Sequence, residues 1–125
     1  MFRIEKIDND CFYVKAIGTF PPSVAEKFIK EFEERTKKLE NFSVIVDNLD
    51  VILLDVNSFD MILNLLKKNN NKMRKSAFVI SRNPPLDKEY ELLLKKAESP
   101  NRKIVQTLDD AKEWIGIDKI VLKKE

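Results

Sequence analysis

The stretch from Asn41 to Ser81 limits the folding options of this chain more than any other. It reads as an apolar run, Phe42-Ser43-Val44-Ile45-Val46-Asp47, a polar interruption, an amphipathic segment from Asn57, and a second apolar run, Ser76-Ala77-Phe78-Val79-Ile80. Short runs rich in β-branched and aromatic residues suit strands buried on both faces, and the segment between them is long enough for a helix. The unit is a strand, a helix and a parallel strand joined by a right-handed crossover. It cannot bury itself, so the flanking sequence must add strands beside the pair and helices over it.

The flanks carry those elements. Phe2, Ile4 and Ile7, then Cys11 to Gly18, alternate as two strands, and Asp8-Asn9-Asp10 supplies the turn residues of a hairpin. Pro21-Pro22 suits a helix entry, and Ser23-Val24-Ala25-Glu26 has capping-box spacing ahead of an apolar face of Val24, Ala25, Phe28, Ile29, Phe32 and Leu39. That helix is expected to end near Glu40. Between Asp47 and Asp55 the run Val51-Ile52-Leu53-Leu54 is read as a strand extension or a packed loop, with Asp55 or Asn57 capping the next helix. Lys75 to Ile80 makes the fourth strand, Arg82-Asn83-Pro84-Pro85 a loop, and Asp87 to Glu98 a helix with Tyr90, Leu93, Leu94 and Ala97 inward. Arg102 to Gln106 is a short edge strand. Thr107 caps a last helix carrying Leu108, Ala111, Trp114 and Ile115, and Gly116 ends it.

Composition restricts the chemistry. At 125 residues with 43% hydrophobic and 35% charged side chains, the chain fits one domain. No apolar run approaches a membrane span, so the expected location is the cytoplasm. The single cysteine, Cys11, has no internal disulfide partner, and the absence of histidine removes the usual zinc sets and the commonest acid–base group. Net charge is −4 over residues 1–62, with 8 basic and 12 acidic side chains, and +6 over residues 63–125, with 15 and 9. The basic groups Lys67, Lys68, Lys72, Arg74 and Lys75, and Lys95, Lys96, Arg102 and Lys103, lack interleaved aromatics, so nucleic acid is not an expected partner.

The order hairpin, helix, strand, helix, strand, helix, strand, helix resembles the STAS domain, the fold of bacterial anti-sigma-factor antagonists and of sulfate-transporter tails. Lys75-Ser76-Ala77-Phe78-Val79 and the run Arg102-Lys103-Ile104-Val105-Gln106-Thr107-Leu108-Asp109-Asp110-Ala111-Lys112-Glu113-Trp114-Ile115 are similar to an uncharacterised STAS-like branch that ends in R-x-x-x-F-x-x-x-x-x-A-x-x-W-L. That branch shares its fold with lipid-carrying domains of the CRAL-TRIO type. The resemblance implies an α/β domain over residues 1–116, with a mixed, mostly parallel five-stranded sheet and four helices in the order ββαβαβαβα. Residues 117–125 then form an extension or tail.

Function follows from the same resemblance. Antagonists of this fold carry Asp-Ser-Ser-Gly before a helix and are phosphorylated on the second serine. Here the matching residues are Asp55-Val56-Asn57-Ser58, so Asn57 stands at the acceptor position and takes no phosphate, leaving Ser58 as the neighbouring hydroxyl. The implied role is a non-enzymatic regulatory domain that binds a protein partner through Asp55, Asn57, Ser58 and Phe59. A carrier or sensor of a lipid or other apolar molecule, held between helices and sheet, is the alternative. Asp47, Asp50 and Asp55 are weighed as a magnesium site, but turn and cap duties account for them. No catalytic residue, metal or cofactor is expected.

Overall fold

The computed structural model describes residues 1–8, 10–80 and 84–117. Its elements run β1 (Phe2–Asp8), β2 (Cys11–Gly18), α1 (Pro22–Thr36), β3 (Phe42–Val51), α2 (Val56–Asn69), β4 (Met73–Val79), α3 (Pro84–Ala97), β5 (Arg102–Val105) and α4 (Leu108–Ile115). The strands form one sheet in chain order, with β1 antiparallel to β2 and the other pairs parallel. This is the α/β class and element order that the sequence implies.

The strand order dictates the layers. Three successive right-handed crossovers that step the same way across a sheet place their helices on one face. Accordingly α1, α2 and α3 cover a core of Phe12, Val14, Phe42, Val44 and Phe78, to which they add Phe28, Phe32, Leu63, Leu66, Leu86 and Leu93. Phe2, Phe12, Phe20, Phe28, Phe32 and Phe42 join through ring contacts with centroids 5.4 to 6.4 Å apart. The opposite face holds a smaller core of Tyr13, Ile45, Ala77, Val79 and Val105 under α4, which contributes Ala111, Trp114 and Ile115.

Capping explains where the elements start and stop. The Asp55 carboxylate accepts the Asn57 N–H at 2.8 Å and opens α2. Thr107 accepts the Asp110 N–H at 3.0 Å and opens α4, which Gly116 closes at a φ of 89°, a conformation that favours glycine.

Four boundaries differ from expectation. The first helix begins at Pro22 with Pro21 as an extended N-cap and no side-chain cap, so Ser23 lies inside the first turn and the capping box does not form. A proline at the first helical position holds the residue before it out of the helical region, which places the start there. The same helix ends at Thr36 rather than near Glu40, because the Lys72 ammonium binds the Thr36 carbonyl at 2.8 Å and the chain turns at Leu39. The third helix takes in Pro84 and Pro85, which were expected in a loop. β4 starts two residues early, at Met73. The expected turn residue Asn9, the loop residues Arg82 and Asn83, and the tail beyond Ile117 lie outside the described residues.

The segment between Asp47 and Asp55 is both a strand extension and a loop. β3 runs on to Val51, and its register with β2 slips between Lys15↔Asp47 and Ile17↔Asp50, so β3 carries an extra residue. Asp47 and Asn48 are consequently both buried. Asp47 accepts from the Tyr13 hydroxyl, and Asn48 accepts from the Tyr90 hydroxyl at 2.9 Å.

Candidate functional site

The parallel strands give the sheet two unlike ends. At the end where β2 to β5 begin, polar side chains close the connections. Asn70 donates to the Ala97 carbonyl at 2.7 Å and accepts from Ser99 at 2.7 Å, and Asn101 donates to the Met73 carbonyl at 3.2 Å. Arg102 is buried there, donating to the Leu66 carbonyl at 3.2 Å and the Ser99 hydroxyl at 3.1 Å. Desolvation pulls its pKa down to about 10, so it remains a cation at neutral pH on the carbonyl end of α2.

The other end, where those strands finish and α1 and α2 begin, presents apolar groups. Six large hydrophobic side chains are exposed among the described residues, and Met1, Ile17, Ile52, Leu53 and Val56 belong to this end, leaving only Leu92 elsewhere. Val56, the first residue of α2, is 80% exposed, with Ile52 at 63% and Leu53 at 46%. Met1 reaches the same end because β1 runs antiparallel, and it exchanges backbone hydrogen bonds with Ile17 at 2.9 and 3.2 Å.

These exposed residues are held in place from beneath. The Ile52 N–H donates to the Gly18 carbonyl at 2.9 Å, the Asp55 N–H to the Thr19 carbonyl at 3.0 Å, and the Ser58 hydroxyl to the Phe20 carbonyl at 2.8 Å. The β2–α1 turn that receives them is itself strained. Phe20 has a φ of 52°, which for a bulky residue costs on the order of 1–3 kcal/mol and persists because burial and the Ser58 bond enforce it.

The four residues expected to meet a partner separate on this scaffold. Asn57 is exposed, Asp55 and Phe59 are half-buried, and Ser58 is fully buried. Asp55 spends its carboxylate on the helix cap, and Phe59 packs at the edge of the main core with the Lys96 ammonium 5.9 Å from its ring. The Ser58 hydroxyl faces inward, out of a kinase's reach in this conformation, with the Asp55 carboxylate already occupying the positive end of α2. The exposed residues Ile52, Leu53 and Val56 were not singled out from sequence. The signal for Ile52 and Leu53 is the apolar run between Asp50 and Asp55, of which only Val51 and Leu54 turn inward.

The three aspartates do not gather into one site. Asp47 is held by Tyr13, by Lys15 at 3.3 Å and by the Leu49 N–H at 3.0 Å, while Asp50 meets the same ammonium at 2.7 Å. Burial lowers the Lys15 pKa, and the two carboxylates outweigh that to leave it above its ordinary value. Tyr13 is pushed up by burial and by its bond to Asp47. Among the described residues no three His, Cys, Asp or Glu side chains gather as a metal site. Cys11 is buried at the opposite end, its pKa raised to about 11 by desolvation and then by Asp8, against a lowering by Arg74.

Among solved structures, an uncharacterised protein of the DUF3478 family from Shewanella loihica PV-4, with a SpoIIAA-like fold, superposes with a TM-score of 0.68. The match covers 91% of this chain and 91% of that one at 17% identity. The anti-sigma factor antagonist SpoIIAA in its unphosphorylated form superposes with a TM-score of 0.65, over 95% of this chain and 100% of its own, at 10% identity. The chain has a STAS-like fold. No family model and no curated protein matches the sequence.

Two further features of this STAS-like domain bear on ligands. Between α1–α3 and the sheet lies a cavity of about 60 Å³ lined mainly by apolar side chains, among them Val14, Phe28, Val44, Leu66 and Phe78. Pockets that take drug-sized ligands hold roughly 300 Å³ or more, so this space lends no support to a lipid site. On the α4 face Trp114 is half-buried, donates to the Ser76 carbonyl at 3.0 Å and lies under Lys75 and Lys103 at 4.4 and 5.3 Å. No described helix is long and apolar enough to cross a membrane.

Proposed function

We propose that this chain is a non-enzymatic, regulatory interaction domain of the cytoplasm that binds a protein partner at the junction of β3 and α2. The observation that carries this reading is the gathering of exposed apolar side chains at one end of the sheet, with Ile52, Leu53 and Val56 beside Asp55, Asn57 and Phe59. Fully burying a side chain of this size is worth about 1.5–3 kcal/mol. Three together supply a gross gain of about 5 kcal/mol before the cost of association, enough to anchor a protein contact when pre-ordered. The bonds to Gly18, Thr19 and Phe20 provide that order. SpoIIAA is an anti-sigma factor antagonist, and its shared fold supports a protein-binding role here.

The test is co-purification from the source cell with the wild-type chain and with Val56→Asp, after circular dichroism shows that both are folded. Loss of a bound protein from the Val56→Asp sample supports the reading. An unchanged set of bound proteins overturns it.

A further inference from the structure

The chain around these exposed apolar residues is also mostly acidic. From Leu39 to Leu66 the chain has no lysine or arginine, while Glu40, Asp47, Asp50, Asp55 and Asp60 fall in the same stretch. The Asp50 side chain is 63% exposed and Asp60 is exposed, and both flank the run that contains Ile52, Leu53 and Val56. Lys15 is the cation paired with two of these carboxylates, and it is mostly buried between Asp47 and Asp50. Lys15 against Asp47, Asp50, Asp55 and Asp60 leaves the stretch around Ile52, Leu53 and Val56 net negative, and Arg3, opposite Lys15 on β1, is matched by Glu5.

The start of α2 does not reverse that sign. A helix amino terminus is equivalent to roughly half a positive charge, and at α2 the full negative charge of Asp55 already sits on it. The opposite end of the sheet has the reverse character. The last turns of α1, α2 and α3 carry Arg35, Lys67, Lys68, Lys95 and Lys96, of which Arg35 and Lys68 pair with Glu31 and Glu33, and none of the exposed large hydrophobics among the described residues lies there. A second copy of the chain offers charge complementarity at that end but no apolar centre to meet Ile52, Leu53 and Val56.

Resting on the protein-binding reading above, we infer that the partner's contact surface is a cationic one: an apolar centre flanked by lysine or arginine, set against the acidic rim around Ile52, Leu53 and Val56. Rim charges of this kind steer encounter and select partners more than they add affinity, and salt screens them.

The proposal is tested by titrating the isotope-labelled full chain, followed by nuclear magnetic resonance, with two designed amphipathic peptides. They share a leucine face and differ only in lysine or glutamate flanks. The lysine peptide is expected to perturb the amides of residues 50–60, to weaken about tenfold between 50 and 500 mM NaCl, and to weaken several-fold with Asp50→Asn and Asp60→Asn together. Equal binding of the glutamate peptide at the same amides, or indifference to salt and to those substitutions, overturns the cationic partner and leaves a charge-blind docking surface standing. Absence of either peptide from residues 50–60 at millimolar concentration overturns both readings. Movement of the same amides with protein concentration alone assigns the surface to a second copy and likewise overturns the proposal.

Discussion

The two ends of the sheet use the same strands and helices for opposite purposes. Where the parallel strands begin, Asn70, Lys72, Ser99, Asn101 and Arg102 tie each connection to a neighbouring carbonyl or side chain. Where they finish, the backbone is tied from beneath and the side chains above it, Ile52, Leu53 and Val56, face solvent. Closure consumes polar side chains at one end, and the other end leaves apolar ones unspent. The proposed contact surface rests on this contrast.

The contrast is sharpest in stability. Arg102→Ala strips the buried guanidinium from the Leu66 carbonyl and removes packing, so it should lower the unfolding free energy by about 3 kcal/mol in urea titrations. A loss below about 1 kcal/mol would show that the closed end is not held as described. Ser58→Ala leaves the Phe20 carbonyl without its donor and relaxes the strained turn, with an expected loss of about 1–2 kcal/mol.

Alkali acts on both ends through different groups. Cys11 has a folded pKa of about 11 against an ordinary 9.0, so the native state binds more protons between those values. Its contribution is complete below pH 9 and is lost as pH rises toward 11. Lys15, raised by Asp47 and Asp50, contributes stability below its unfolded pKa and loses it as pH rises through the folded one. Cys11→Ala should remove the first part of the alkaline decline and leave the second. In the native protein at pH 8 the thiolate population, and so the alkylation rate with iodoacetamide, should fall about 100-fold below that of the unfolded chain. Equal rates in the two states would contradict the burial of Cys11.

The smallest stability effect is expected at the most exposed position. Val56→Asp should change the unfolding free energy by less than about 0.5 kcal/mol, since the side chain is already in water. A larger loss would mean that the rim is part of the core.

Much of the architecture was legible in residue patterns. The alternation of Cys11 to Gly18, the apolar strands from Phe42 and Ser76, and the caps at Thr107 and Gly116 each depend on neighbours within a few residues. The acceptor-like position at Asn57 lies beside the exposed residues Ile52, Leu53 and Val56 on which the proposed contact surface rests. What stayed hidden depends on distant contacts. The slip in β3 brings Asp47 to Tyr13 and Lys15, and Ser58 turns inward to the Phe20 carbonyl 38 residues away in sequence. The exposure of Ile52 and Leu53 is set by the bonds that pin their backbone to the β2–α1 turn, which no local pattern of apolar residues reports.

The contrast between the two ends is tested most directly by placing a photo-crosslinking amino acid at position 56 and, in a second chain, at the exposed position 71 of the opposite end, then irradiating the source cells. Val56 and Asn71 are both exposed, so access to the probe is matched. A discrete protein adduct from position 56 and none from position 71 is expected. Adducts from 71 alone, or the same adducts from both positions, would contradict the assignment of recognition to the end of the sheet where α2 begins.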